Sequence, residues 1–186
     1  MNRNERRRWR AVRQLGKGTF SEVMLATSQG VQADIESHQS GNTETFETDE
    51  QQLDPKTLVA VKIVEHGPSD GASAERMETS LQRELEVLKL IQHPSLVHLK
   101  AFSTDDKQAL LVLSYCPGGD LFELASLKHD LLVPGLIRRI FAELVAAVRY
   151  LHAQYIVHRD IKLESTCPIL PRTDLCFVTL NVVPRV

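Results

Sequence analysis

Ile156-Val157-His158-Arg159-Asp160-Ile161-Lys162-Leu163-Glu164-Ser165 is the stretch that decides how this chain is read. It sets a carboxylate, Asp160, two residues before a lysine, Lys162, directly after a long segment with a helical apolar stripe. An aspartate in such a turn can accept or orient the proton of an attacking hydroxyl. A lysine two residues on can neutralise charge on a transferred phosphoryl group. A surface loop of solvated charges is the plainer reading, and the segments upstream decide between the two.

Working back from that loop, Ile137, Ile140, Phe141, Leu144, Val148 and Leu151 lie at helical spacing, which predicts a helix from about 134 to 152. Pro134 suits its first turn. A shorter helix is expected near 121–128. Before it, Leu110-Leu111-Val112-Leu113 reads as a short buried strand closed by Pro117-Gly118-Gly119. Met77, Leu81, Leu85, Leu88 and Ile91 mark a helix from about 73 to 92 that His93-Pro94 ends. Strand-like runs cover 22–26 and 58–64, the second rich in β-branched residues. The order predicts an α+β fold: an antiparallel sheet with one helix, followed by the start of a helical lobe.

Two features of the first lobe carry chemistry. Leu15-Gly16-Lys17-Gly18-Thr19-Phe20-Ser21 is a glycine-rich loop, and glycines let backbone N–H groups approach phosphate oxygens without a Cβ in the way. Lys17 falls between the glycines and not after them, so the loop is not a P-loop. A strand and not a helix follows, which excludes a dinucleotide fingerprint. Further on, Val59-Ala60-Val61-Lys62 puts a lysine on an apolar strand. A lysine snorkelling to water from an edge strand is the plain alternative. Glu84, beside the Leu81/Leu85/Leu88 stripe, is the acid that can hold the Lys62 ammonium where it meets phosphate.

The 186 residues suffice for one domain with a core, or slightly more, and a net charge of -2 gives no reason to expect nucleic acid or an acidic membrane as partner. Three cysteines are too few for a disulfide scaffold or a four-ligand zinc site, and no His-Glu-x-x-His occurs. The basic run from Arg3 to Arg13 has no apolar core of a signal peptide, and no apolar run approaches the roughly 18 residues that span a bilayer. An intracellular location, cytoplasmic and/or nuclear, is expected. Residues 29–54 hold seven acids and no Lys or Arg, which reads as a mobile acidic insert.

Taken in order, the glycine loop, the Val-Ala-Val-Lys strand, the helix glutamate and the His-Arg-Asp loop make this chain resemble a eukaryotic protein kinase, over about 9–165. Asp160-Ile161-Lys162 is similar to the Ser/Thr-specific form, and the segment 114–120 with the insert resembles a fungal Ser/Thr kinase subgroup. The resemblance implies ATP and Mg²⁺ as ligands and a protein hydroxyl as acceptor. It implies that Asp160, Lys62, Glu84 and Lys162 are the catalytic set. It further implies that Leu15, Gly16, Lys17, Gly18 and Val23 cover the nucleotide with Ala60, that Leu113 is the gatekeeper behind the adenine, that the Ser114 carbonyl and Cys116 N–H meet the adenine edge, and that Asp120 reaches the ribose.

The family pattern then fails. Ser165 stands where the family has its metal-binding asparagine, and a serine hydroxyl is shorter and differently placed. No Asp-Phe-Gly occurs, and the one later acid is Asp174. Residues 166–186 hold 11 apolar residues, three prolines and three charges. Pro168 is expected to break any strand there. The expected organisation is a basic arm at 1–8, a partial kinase domain at 9–165 and a non-kinase-like tail from 166. Within the domain, the acidic insert takes 29–56, the small lobe about 9–115 and the start of the large lobe 120–165. Impaired phosphoryl transfer, or a non-catalytic module binding nucleotide or a partner on the exposed helix 134–152, follows from that organisation.

Overall fold

Leu58–Glu65 (β3) is the centre of the molecule, and its β-branched Val59, Val61, Ile63 and Val64 suit a strand paired on both edges. The computed structural model describes residues 8–18, 21–28, 53–66, 72–169, 174–177 and 183–184. A five-stranded antiparallel sheet forms from Arg10–Lys17 (β1), Ser21–Thr27 (β2), β3, Leu99–Thr104 (β4) and Gln108–Ser114 (β5), in the order β1-β2-β3-β5-β4. The sequence reading had no strand at β1 or β4. Both are edge strands, and their polar, partly exposed residues carry no apolar alternation to mark them.

Register sorts the side chains. Val23 pairs with Lys62 and Lys62 with Leu111; Leu25 pairs with Ala60 and Ala60 with Leu113. Directly paired residues share a face, so these line one side of the sheet. Ala60, Leu111 and Leu113 join Leu81 and Leu88 of the helix Ala72–Leu90 (α1), and Ile91 just after it, in the main core. Leu111 is fully buried, so its truncation to alanine costs about 2–5 kcal/mol.

The same core continues past the sheet. After Leu121–Leu127 (α2), the helix Pro134–Ala153 (α3) buries Ala147 and Leu151 against it, with Ile156 and Cys167. The other side of α3 is bare: Ile137, Phe141 and Val145 are all exposed.

Two expectations need correction. The basic arm expected at 1–8 lies, apart from Arg8, outside the described residues. The acidic insert is ordered at its end: Asp54 caps the turn Pro55–Thr57, its side chain accepting the Lys56 N–H at 2.9 Å. Residues 29–52 lie outside the described residues. Finally, Pro168 does not break a strand. Thr166–Ile169 (β7) pairs antiparallel with Asp174–Phe177 (β8), Pro168 opposite Leu175. In a two-stranded ribbon one edge of each strand needs no N–H partner, and there a proline is tolerated. Ile156–Val157 (β6) pairs with Val183–Pro184 (β9) from the tail.

Candidate active site

The Lys62 side chain leaves the inner face of β3 toward α1, and its Nζ donates to both carboxylate oxygens of Glu84 at 2.7 Å. About a quarter of the lysine side chain and a fifth of the glutamate remain exposed, so the ammonium is fixed yet reachable. A bidentate, charge-assisted contact of this kind holds a point charge in one place. Sequence neighbours put the pair together: β3 aims Lys62 at the helix, and the Leu81/Leu85/Leu88 stripe turns the Glu84 side of α1 toward the sheet.

Next to Lys62 the register brings Val23, and next to Val23 it brings Gly16 of β1. The pairing of β1 with β2 shifts between Gln14 and Gly16, a bulge that bends the strand at the glycine. The Gly18 N–H donates to the Ser21 carbonyl at 2.7 Å and closes the hairpin. Lys17 is exposed and lies opposite Glu22. Leu15 packs on the main core from the same hairpin.

At the other end of β5, Leu113 and Cys116 are buried in the core. Ser114 donates its N–H to the His98 carbonyl at 3.0 Å and accepts the His98 N–H on its hydroxyl at 2.9 Å. Gly119 takes a φ of 72°, which glycine alone adopts without strain, and lets the chain turn into α2. Asp120 caps that helix, its Oδ1 accepting the Glu123 N–H at 2.7 Å. This capping role was legible in the sequence and was passed over; a carboxylate so engaged keeps lone pairs for a second partner.

The loop after β6 is built around Asp160. Its N–H meets the His158 carbonyl at 2.9 Å and His158 Nδ1 at 3.3 Å, and Arg159 between them holds a left-handed φ of 63°. Strain of that kind persists only where surroundings enforce it. Lys162 Nζ lies 3.3 Å from Asp160 Oδ2.

Ser165 is fully buried. Its Oγ accepts the Lys162 N–H at 3.0 Å and lies 2.8 Å from the Asp160 carbonyl and 2.9 Å from that of Lys162. The hydroxyl knots the loop, so the residues present do not fit a resident Mg²⁺ here. Among the described residues no group of three His, Cys, Asp or Glu side chains gathers where a metal could sit.

A concavity of about 500 Å³ lies on the opposite face of the sheet, lined by Trp9, Met24, Val61, Phe102 and Leu110 among others. It holds no charged residue and none of the residues above, so phosphate chemistry has no footing there.

Lys62 meets Glu84, as the sequence pattern implied, with Gly16 and Val23 on the neighbouring strands. Residues 43–166, about two thirds of the chain, match the family model described as protein kinase domain. The chain belongs to the protein kinase family. Its relatives place it with the Ser/Thr type. It is 34% identical over 177 residues to the serine/threonine-protein kinase PRR1 of Saccharomyces cerevisiae, covering 84% of this chain and 32% of that protein. It is 38% identical over 84 residues to the serine/threonine-protein kinase ppk27 of Schizosaccharomyces pombe, covering 45% and 20%. It is 28% identical over 153 residues to CBL-interacting protein kinase 8 of Oryza sativa, covering 82% and 28%. The chain spans about a third or less of the length of these kinases. The family match begins inside the insert, whereas the kinase sheet seen here also takes in β1 and β2 through the Val23–Lys62 pairing.

Proposed function

We propose that this chain holds an adenine nucleotide against the inner face of the sheet, as the nucleotide-binding part of a Ser/Thr protein kinase in the cytoplasm and/or nucleus. The observation that carries this reading is the Lys62 ammonium, gripped by both Glu84 oxygens at 2.7 Å and two strands across from Gly16, with Val23 between them. The glycine hairpin leaves room for phosphate, Lys62 meets its charge, and Ala60, Val23 and Leu113 supply an apolar seat for the base. Asp160 orients a protein hydroxyl toward the terminal phosphate, and Lys162 offsets charge that builds there.

Transfer by these 186 residues is weak. Ser165 is spent on the backbone and no Asp-Phe-Gly is present. That same observation favours a second reading, a non-catalytic module that holds nucleotide, or a partner against α3. Calorimetric titration with ATP, on the whole chain and on Lys62→Met, tests the shared part. Saturable binding that the substitution removes is expected. Equal binding by both proteins sinks the assignment. Transfer of labelled γ-phosphate to a generic protein substrate then separates kinase from module.

A further inference from the structure

We infer that Cys167 and Cys176 close to a cross-strand disulfide that pins the ribbon leaving the catalytic loop. β7 and β8 run antiparallel, and their register sets Cys167 directly opposite Cys176. Directly opposed residues share a face of a ribbon, with Cα atoms about 4.5 or 5.5 Å apart according to the kind of pair.

Pro168 decides the kind. It pairs with Leu175, and a proline has no N–H to exchange with the residue opposite. Its pair is therefore the one without direct hydrogen bonds, and the two kinds alternate along an antiparallel ladder. Cys167 and Cys176 then make a hydrogen-bonded pair, with Cα atoms about 5.5 Å apart. Disulfides join Cα atoms roughly 4.4–6.8 Å apart, most often about 5.5–6 Å, so the bond closes without moving the backbone. The third cysteine, Cys116, stands beyond β5 and outside this ribbon.

Reducing compartments admit disulfides mainly as transient, redox-sensing bonds. The oxidant is a small-molecule disulfide such as glutathione disulfide. One cysteine thiolate attacks a sulfur of it, forming a mixed disulfide and expelling one glutathione thiolate. The opposite thiolate then attacks the protein sulfur of that mixed disulfide and expels the second. Two protein thiols lose two electrons, the glutathione disulfide gains them, and both thiol protons end on glutathione. Cys167 is buried, so exchange waits on local opening. A ribbon of two short strands opens before a sheet core does.

The bond lands beside the catalytic loop. Thr166 Oγ1 donates to the Lys162 carbonyl at 3.0 Å, and the Ser165 N–H donates to the same oxygen at 3.2 Å. Fixing the next residue along therefore steadies the exit from Asp160-Ile161-Lys162.

The test equilibrates the whole chain with graded glutathione buffers, with and without concentrated urea. Remaining thiols are alkylated and the peptides mapped by mass spectrometry. Cys167 joined to Cys176, with Cys116 alkylated, is expected. The equilibrium constant is expected to be at least about tenfold larger without urea, because only the folded register holds the two residues opposite each other. A bond to Cys116, unresolved mixed disulfides, three alkylated cysteines at every ratio, or equal constants overturns the inference. Amide exchange at Ser165 is the second readout, expected to slow about tenfold on oxidation. Unchanged exchange in the oxidised chain shows that the bond does not pin the loop exit, and overturns that part.

Discussion

The phenolic oxygen of Tyr150 accepts the backbone N–H of Gln92 at 2.8 Å, and its ring lies 5.2 Å from that of His93. This one contact ties the segment after α1, the helix that carries Glu84, to α3, the helix that leads into the catalytic loop. Tyr150→Phe keeps the ring and removes the acceptor. A loss of about 1 kcal/mol in urea unfolding is expected, with faster amide exchange at Gln92. Unchanged exchange there shows that the joint does not depend on the hydroxyl.

The same joint is sensitive to acid. Burial pushes the His93 pKa below its ordinary value of 6.5, and the neighbouring positive charge available at His98 pushes it further the same way. His93 Nδ1 also accepts the Ser95 N–H at 3.1 Å, a bond that protonation at Nδ1 breaks. A histidine whose folded pKa is depressed binds its proton more readily when unfolded. Stability is therefore full above the unfolded value and falls as the pH drops below about 6.5, down to the folded pKa. Urea midpoints from pH 8 to 5 check this, and His93→Gln flattens that part of the profile.

Two glycines separate ligand from fold. A Cβ built on Gly16 meets nothing within 4 Å, whereas on Gly119, at a φ of 72°, it meets Glu123 Oε2 at 2.7 Å. Gly16→Ala is expected to change stability by under about 0.5 kcal/mol while weakening ATP binding. Gly119→Ala is expected to cost about 1–3 kcal/mol through backbone strain. Thermal unfolding and calorimetry on the two variants give the pattern, and a strongly destabilised Gly16→Ala contradicts it.

What the sequence disclosed follows from where the information lies. Lys62 and Glu84 were legible because each sits on an element with a strong apolar period of its own, strand and helix. The edge strands β1 and β4 were not, since a polar edge strand is specified by its neighbour's register and not by its own pattern. Tyr150 was missed because its partner is a backbone N–H 58 residues away, and a backbone group leaves no mark in a sequence. Pro168 misled because the ladder rule applies to strands paired on both edges, and β7 pairs on one.

Tyr155 follows the last turn of α3 with a φ of 58°, its N–H donating to the His152 carbonyl at 3.0 Å. Helices commonly end on such a left-handed residue, and glycine or asparagine fills the place without the penalty a bulky side chain pays. The tyrosine side chain is 73% exposed and offers little burial in return. Tyr155→Gly is expected to raise unfolding free energy by about 1 kcal/mol. A lower midpoint in urea means that the ring packs against something that outweighs the strain.

Ile137, Phe141 and Val145 repeat at four-residue spacing along α3, at 40%, 60% and 53% exposure. Residues four apart stack on one face of a helix, so these three form a continuous apolar strip. The buried side of the same helix holds Ile140, Ala147 and Leu151, so the strip contributes nothing to the core. Phe141→Glu with Val145→Lys turns it into a charged face and places the acid one turn before the base, the favourable order on a helix. An unfolding free energy within about 0.5 kcal/mol of the parent in urea is expected. A drop of more than about 1 kcal/mol instead means that the strip is covered in the folded chain, and the candidate partner surface on 134–152 is then lost with it.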